Sequence, residues 1–328
     1  MKKIHLYFRV PPERNRLIPG DRFLVTLLKR IFIRPKMSGV KKVFLNLCKG
    51  FKLLNVAFDV NQPFRKIKPG EPVIVLGVGK YALQGYIQQN PVIAGIGLMT
   101  HPSYWPDLCK EYPVKKYLQH SEWTKNIYAP YYGADKCDLW PSGVDTDKWL
   151  PDEGSQKKYE LLIYNKIMWD KEQTDAALRL PLLRFLEMKG LSYQEVVYGR
   201  YQEAHYLELL NQSRAMIFLC EHESQGFACC EAMSMNVPVF AWDQGYWLDP
   251  NRFEWGEKDK VPATSVPFFD KRCGMSFTDL QDFENRFDQF WEKVIAGDFQ
   301  PRSYILENLT LTKSAQRLLE IIKEVYAG

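Results

Sequence analysis

Short, continuously apolar runs separated by helix-length amphipathic stretches constrain this chain most. Val73-Ile-Val-Leu76, Leu161-Leu-Ile-Tyr164, Ala215-Met-Ile-Phe-Leu-Cys220 and Val237-Pro-Val-Phe-Ala241 are too short for buried helices. They are also too uniformly apolar for strands with one wet face. Strands buried on both sides belong to parallel sheets covered by helices, so the expected class is α/β with doubly wound sheets. Expected strands in the first half are 4–10, 56–60, 72–78, 92–99 and 117–120; in the second, 160–164, 195–199, 215–220, 237–241, 265–269 and 273–277. Helices are expected to open at Ser38-Gly39 and at Ser121, to run over 171–189 and 202–213, and to close the chain at 278–296 and 301–325.

At 328 residues the chain can hold two cores. Pro141-Ser-Gly-Val-Asp145 and the following Asp147 and Pro151 read as a linker. The boundary is therefore placed to give domains 1–145 and 146–328, with the last helix free to cross back to the first domain. Seven cysteines without a C-x-x-C spacing, two of them adjacent at Cys229-Cys230, suggest buried thiols in a reducing cytosol rather than zinc ligands or disulfides. No apolar run approaches a membrane span, and Met1-Lys-Lys followed by His5 and Arg9 is not a signal peptide. The expected location is cytoplasmic, with peripheral binding to the inner face of a membrane as an extension.

Charge is unevenly spread. Residues 1–70 hold 17 Lys/Arg against 3 Asp/Glu, a balance of +14, and the remainder holds 27 against 36, a balance of −9. A basic first lobe implies an anionic partner: a lipid headgroup surface, a phosphorylated acceptor or nucleic acid. Nucleic acid is the weakest of these, because no recognised binding motif is present. Arg22 to Arg34 reads either as a core helix with a solvated cationic edge or as an interfacial helix. Gly77-Val-Gly-Lys80 resembles a phosphate loop only superficially, since Ile74 and Tyr81 stand where it needs Gly and Ser or Thr.

The stretch from Glu221 to Ala241 carries the chemistry. An acidic loop follows one apolar strand, and a short helix leads to another. Glu223 and Glu231 stand eight positions apart, which on one helix would separate them by about 12 Å along the axis and roughly 80° around it. They are not a close carboxylate pair. Gly226 marks a helix start between them, so Glu223 belongs to the loop above a strand's C-terminal end, where α/β sheets bind ligands. His101 follows an expected strand in the same way.

These landmarks resemble the GT-B glycosyltransferases of the retaining family-4 type. Carrying the resemblance are Ser121-Glu122, the Pro141-Ser-Gly-Val-Asp145 linker, Lys166 with Lys171, and Glu223 to Val239 with its Glu-x7-Glu spacing. It implies two Rossmann-like domains facing a cleft, the second binding a UDP- or GDP-linked sugar and the first an acceptor. Glu223 would contact the donor sugar's hydroxyls and Glu231 the ribose, tasks that suit carboxylate acceptors. Lys166 and Lys171 would neutralise the diphosphate, helped by the helix start at Gly226, Phe227 and Ala228. Gly39 would let the backbone approach the phosphate, Gly199 and Arg200 would line the donor site, and His101 would lie near the reacting sugar. The resemblance implies no cofactor and no metal, and no Asp-x-Asp motif is present. Lys166 stands where the family has Arg, Ser224-Gln225 where it has Gly-Phe, and Gly245-Tyr-Trp-Leu-Asp249 where it has Gly-Gly-x-x-Glu.

The expected function is transfer of a sugar to a glycan or lipid-linked acceptor hydroxyl with retention, in polysaccharide, lipopolysaccharide or glycolipid synthesis. A GT-B-fold nucleotide-sugar epimerase or hydrolase, and a noncatalytic membrane-surface binding protein, remain as alternatives.

Overall fold

The computed structural model describes residues 2–12 and 38–327. They form two compact units. Unit 1 comprises the described residues of Met1–Gln119, with Lys125–Trp140 and Ala315–Gly328; unit 2 comprises His120–Thr124 and Pro141–Ser314. The amphipathic segment expected over 22–34 lies outside the described residues. Among those described, no helix is long and apolar enough to cross a membrane.

Unit 1 is built on six parallel strands: β1 (Ile4–Arg9), β2 (Phe58–Val60), β3 (Val73–Gly77), β4 (Val92–Gly95), β5 (Val114–Gln119) and β6 (Cys137–Leu139). Their order is β2-β1-β3-β4-β5-β6. Val73 to Leu76 and Val92 to Ala94 have no exposed surface, which explains their uninterrupted apolar sequence. The Gly39–Leu53 helix packs through Val43, Leu47 and Phe51, spaced one turn apart, and Ser38 caps it by accepting the Lys41 N–H.

Two expectations for this unit need correction. The strand expected over 92–99 stops at Gly95, because Gly95, Ile96 and Gly97 all take positive φ (146°, 43° and 87°) and turn the chain out of the ladder. β6 was not expected; it is three residues long and polar at Asp138, and only its pairing with β5 makes it a strand.

Unit 2 has five parallel strands: β7 (Tyr159–Lys166), β8 (Tyr193–Val197), β9 (Ser213–Cys220), β10 (Val239–Trp242) and β11 (Gly274–Phe277). Their order is β11-β10-β9-β7-β8. Alternate residues of β9 serve two cores. Ala215, Ile217 and Leu219 face one with Leu182, Leu186, Phe283, Phe287 and Phe290. Met216, Phe218 and Cys220 face the other, with Tyr206 and the Phe227–Ser234 helix. On the first face Phe240 stacks on Phe290 at 4.7 Å and meets Phe277 edge-on at 4.8 Å, so the Leu280–Ala296 helix is held by aromatic packing.

The linker motif is explained by close approach. A Cβ on Gly143 would lie 2.7 Å from the Leu311 Cα and 2.8 Å from the Thr310 carbonyl oxygen. Val144 bridges to Thr310, and its N–H bonds the Leu309 carbonyl at 2.7 Å. That bridge divides the expected 301–325 helix into Pro301–Asn308 and Leu311–Tyr326, with the Thr310 hydroxyl accepting the Lys313 N–H as a cap. No strand forms at 265–269; Ser265 N–H instead bonds the Asp243 carboxylate.

Candidate functional site

Strand order in unit 2 reverses between β7 and β9, the crossing point at which doubly wound sheets bind ligands beyond the strands' carboxyl ends. Lys166 ends β7, Cys220 ends β9, and the two pair in register. The chain leaving β9 is Glu221-His222-Glu223. A lysine and an acidic loop therefore meet there.

Lys166 Nζ lies 2.5 Å from Glu223 Oε1 and 4.6 Å from the centre of the Tyr198 ring. Both partners are largely buried, with 18% and 15% of their side chains exposed. Burial disfavours the Lys166 charge, but the neighbouring Glu223 carboxylate outweighs it and holds the ammonium protonated well beyond its usual range. Glu223 itself is fixed through its backbone. Its N–H donates to the Thr264 carbonyl at 2.9 Å, and its carbonyl accepts the Trp123 indole N–H at 2.8 Å. The carboxylate is thus presented from a loop anchored on both sides.

His222 lies in an aromatic cluster. The Trp247 indole N–H donates to its Nε2 at 3.1 Å, and the rings of Trp123 and Trp247 meet it edge-on. Burial, then the Lys166 charge, lower its pKa from 6.5 to about 4, so the imidazole is neutral with the proton on Nδ1. The unfolded chain takes up a proton first as pH falls. Stability present above pH 6.5 is therefore lost toward pH 4, by an amount on the order of 3 kcal/mol. The melting temperature of the native chain should drop more steeply over that window than that of His222→Gln. Parallel pH profiles would show that His222 does not titrate this way.

Gly226 takes the left-handed conformation (φ 68°, ψ 52°) and starts the Phe227–Ser234 helix, as its residue type predicts. Phe227 and Ala228 form the first turn, whose N-terminal end carries partial positive charge. Glu231 lies one turn further and is 4% exposed. Burial first, and the Glu231 charge among the smaller causes, push the Tyr201 hydroxyl up to about 12, and Tyr201 bonds the Tyr164 hydroxyl at 2.8 Å. Gln225 turns to the linker: its Oε1 accepts the Ser142 N–H at 2.7 Å and its amide donates to the Ser142 carbonyl at 3.1 Å.

Gly199 (φ 74°) makes the turn after β8. Arg200 borders a cavity of about 460 Å³ with Tyr201, Gln202 and His205. Lys171 is exposed at the start of the short Lys171–Thr174 helix.

Two candidate residues belong to unit 1. Gly39 is the exposed first residue of the Gly39–Leu53 helix, with open space where a Cβ would sit. His101 is fully buried, six residues beyond the end of β4. Its Nδ1 accepts the Ser103 N–H at 3.2 Å and lies 2.8 Å from the Ser103 hydroxyl, capping the Pro102–Tyr104 turn. Tyr131 meets its ring edge-on at 5.6 Å.

Sequence reasoning did not single out Glu221, His222, Trp123 or Trp247. The available signal was three polar residues placed directly after the buried run Ala215 to Cys220.

No protein-family model matches the chain, and no curated protein does. Solved structures do resemble it. AviGT4, a glycosyltransferase involved in avilamycin A biosynthesis, superposes with a TM-score of 0.59 at 14% identity over 100% of this chain and 99% of its own. Sucrose-phosphate synthase from Thermosynechococcus elongatus gives 0.53 at 9% identity over 99% and 100%. TarM gives 0.51 at 12% identity over 85% of this chain and 58% of its own. Two parallel-sheet units, end-to-end coverage by AviGT4 and the synthase, and a polar crossing point in the second sheet together show that the chain has the GT-B glycosyltransferase fold.

Proposed function

We propose that this chain is a retaining glycosyltransferase that moves a sugar from a UDP- or GDP-linked donor to an acceptor hydroxyl. The observation that carries the reading is the Lys166–Glu223 pair at the crossing point of the second sheet, just ahead of the Phe227–Ser234 helix. The two charges satisfy one another. A donor supplies better partners to both: its diphosphate takes the Lys166 ammonium, and its sugar hydroxyls take the Glu223 carboxylate. Lys171 and the helix start add positive charge on the diphosphate, Glu231 accepts from the ribose hydroxyls, and the turn at Gly199 and Arg200 borders the nucleoside. TarM, which shares the fold, has been solved in complex with UDP and alpha-GlcNAc-glycerol, which supports a nucleotide donor.

In this mechanism the bond between the sugar's anomeric carbon and the diphosphate oxygen breaks as the acceptor oxygen attacks from the same face. The acceptor proton passes to the departing diphosphate, whose negative charge Lys166 and the helix dipole stabilise. The first domain takes the acceptor; from it Gly39 lets the backbone approach the donor phosphate, and His101 serves the reacting sugar. The +14 balance of residues 1–70 favours an acceptor bearing phosphate, or one held at an anionic lipid surface. This fits glycolipid, lipopolysaccharide or polysaccharide synthesis.

The test is a screen of UDP- and GDP-sugars by thermal shift, followed by product analysis with lipid-phosphate and glycan acceptors. A saturating donor should raise stability by about 2.7 kcal/mol at a hundred times its Kd. The product should keep the donor's anomeric configuration, read by NMR. Isomerised donor formed without acceptor would replace this reading with the epimerase, and no response to any nucleotide would end it.

A further inference from the structure

Lys171 stands five positions after Lys166, and the four residues between them are held by side chains rather than by regular structure. The Asn165 side-chain oxygen accepts the Ile167 N–H at 3.2 Å. Glu221 Oε1 accepts the next two, from Met168 at 2.8 Å and Trp169 at 3.0 Å. Asp170 then takes a left-handed φ of 42°, and its carbonyl accepts the Thr174 N–H at 2.9 Å to start the short helix that carries Lys171.

Glu221 is 4% exposed. Burial raises its pKa, and the two N–H bonds work against that rise. A buried carboxylate is an expensive way to fill space, so its use here is to hold these amides. The Glu221 Oε1 atom is committed to the Met168 and Trp169 amides, and the Lys166 charge also favours the ionised carboxylate.

We infer that Glu221 is a positioning residue for diphosphate recognition: it fixes the step between Lys166 and Lys171 and touches no ligand itself. This rests on the donor-site reading above. Glu221 acts on the phosphate end of the ligand and not on the nucleoside end, because its side chain bonds the amides of Met168 and Trp169, whereas the turn at Gly199 and Arg200 follows β8.

The experiment uses the full chain, whichever of UDP or GDP the wild type binds more tightly, and the matching nucleoside, both titrated by NMR. Glu221→Ala should weaken the diphosphate by about tenfold or more and the nucleoside by less than about twofold. Glu221→Gln presents a carbonyl oxygen to the same amides and should stay within about threefold of wild type for both ligands. Glu221→Asp keeps the charge but is one methylene short; it should weaken the diphosphate alone by about threefold or more, and decides the matter if the alanine variant does not fold. Equal weakening of both ligands, unchanged diphosphate binding in the aspartate or alanine variant, or a glutamine variant as poor as alanine would each overturn the inference. A wild type that binds neither nucleotide would overturn the donor-site reading itself, before any variant is compared.

Discussion

Replacing Lys166 with alanine is expected to lower kcat/KM for the nucleotide-sugar donor by about a thousandfold, the upper end of what one removed charge-stabilising group costs. Two losses combine. The departing diphosphate loses a cation held protonated in a largely buried position. The Glu223 carboxylate, 2.5 Å from the ammonium in the native chain, is left unneutralised beside an arriving dianion. The second loss should appear in nucleoside diphosphate affinity and the first in kcat, so steady-state rates and calorimetric Kd values separate them. Lys166→Arg restores the charge with a planar fork and should recover activity to within about tenfold of wild type. An alanine variant with near-native kcat/KM would mean that Lys166 serves only to hold Glu223.

Glu231→Ala should weaken the donor by about two to four orders of magnitude, because it removes an acceptor for two hydroxyls at about 1.5–3 kcal/mol for each bond to a charged group. The effect has a chemical control. A 2′,3′-dideoxy nucleoside diphosphate lacks the same two donors and should bind the native chain as weakly as the ordinary nucleotide binds the variant. The variant itself should bind the two nucleotides alike, since mutation and deletion remove one interaction from opposite sides. If the alanine variant still prefers the ordinary nucleotide by its native margin, Glu231 does not contact the ribose. Its helix is short and its own exposure is 4%, so circular dichroism melts must accompany the titrations to show that the fold persists.

The sequence was most informative where burial is total. The apolar runs at 73–77, 161–164 and 215–220 became the buried parts of β3, β7 and β9, because a strand covered on both faces has no polar choice to make. It was least informative where backbone geometry or long-range pairing decides. Ile96 adopts a left-handed φ that nothing in Gly-Ile-Gly announces, and β6 exists only through its neighbour. Thr310 breaks a segment that reads as one helix because the Pro-Ser-Gly-Val linker needs an edge to pair with. In the site, Lys166 and Glu223 were legible singly, but not as a pair. Their meeting depends on strand order, which places β9 beside β7 although β8 comes between them in the chain. Glu221 was missed for the opposite reason: it works through two backbone amides, and amides leave no mark on a sequence.

The discontinuity of unit 1 bears on how the chain is made. Every residue of unit 2 has been synthesised once Ser314 is joined, whereas unit 1 still lacks Ala315 onward. Arg317 must yet reach Asp138 at 2.8 Å. The Tyr326 hydroxyl must yet accept the Val73 N–H, 253 positions upstream, and donate to the Pro91 carbonyl. Domains usually complete themselves in the order in which the ribosome emits them. Here the order is inverted: the half that emerges first must wait, with the entrances to β3 and β4 unsealed, for the half that emerges last to finish and hand back its final helix.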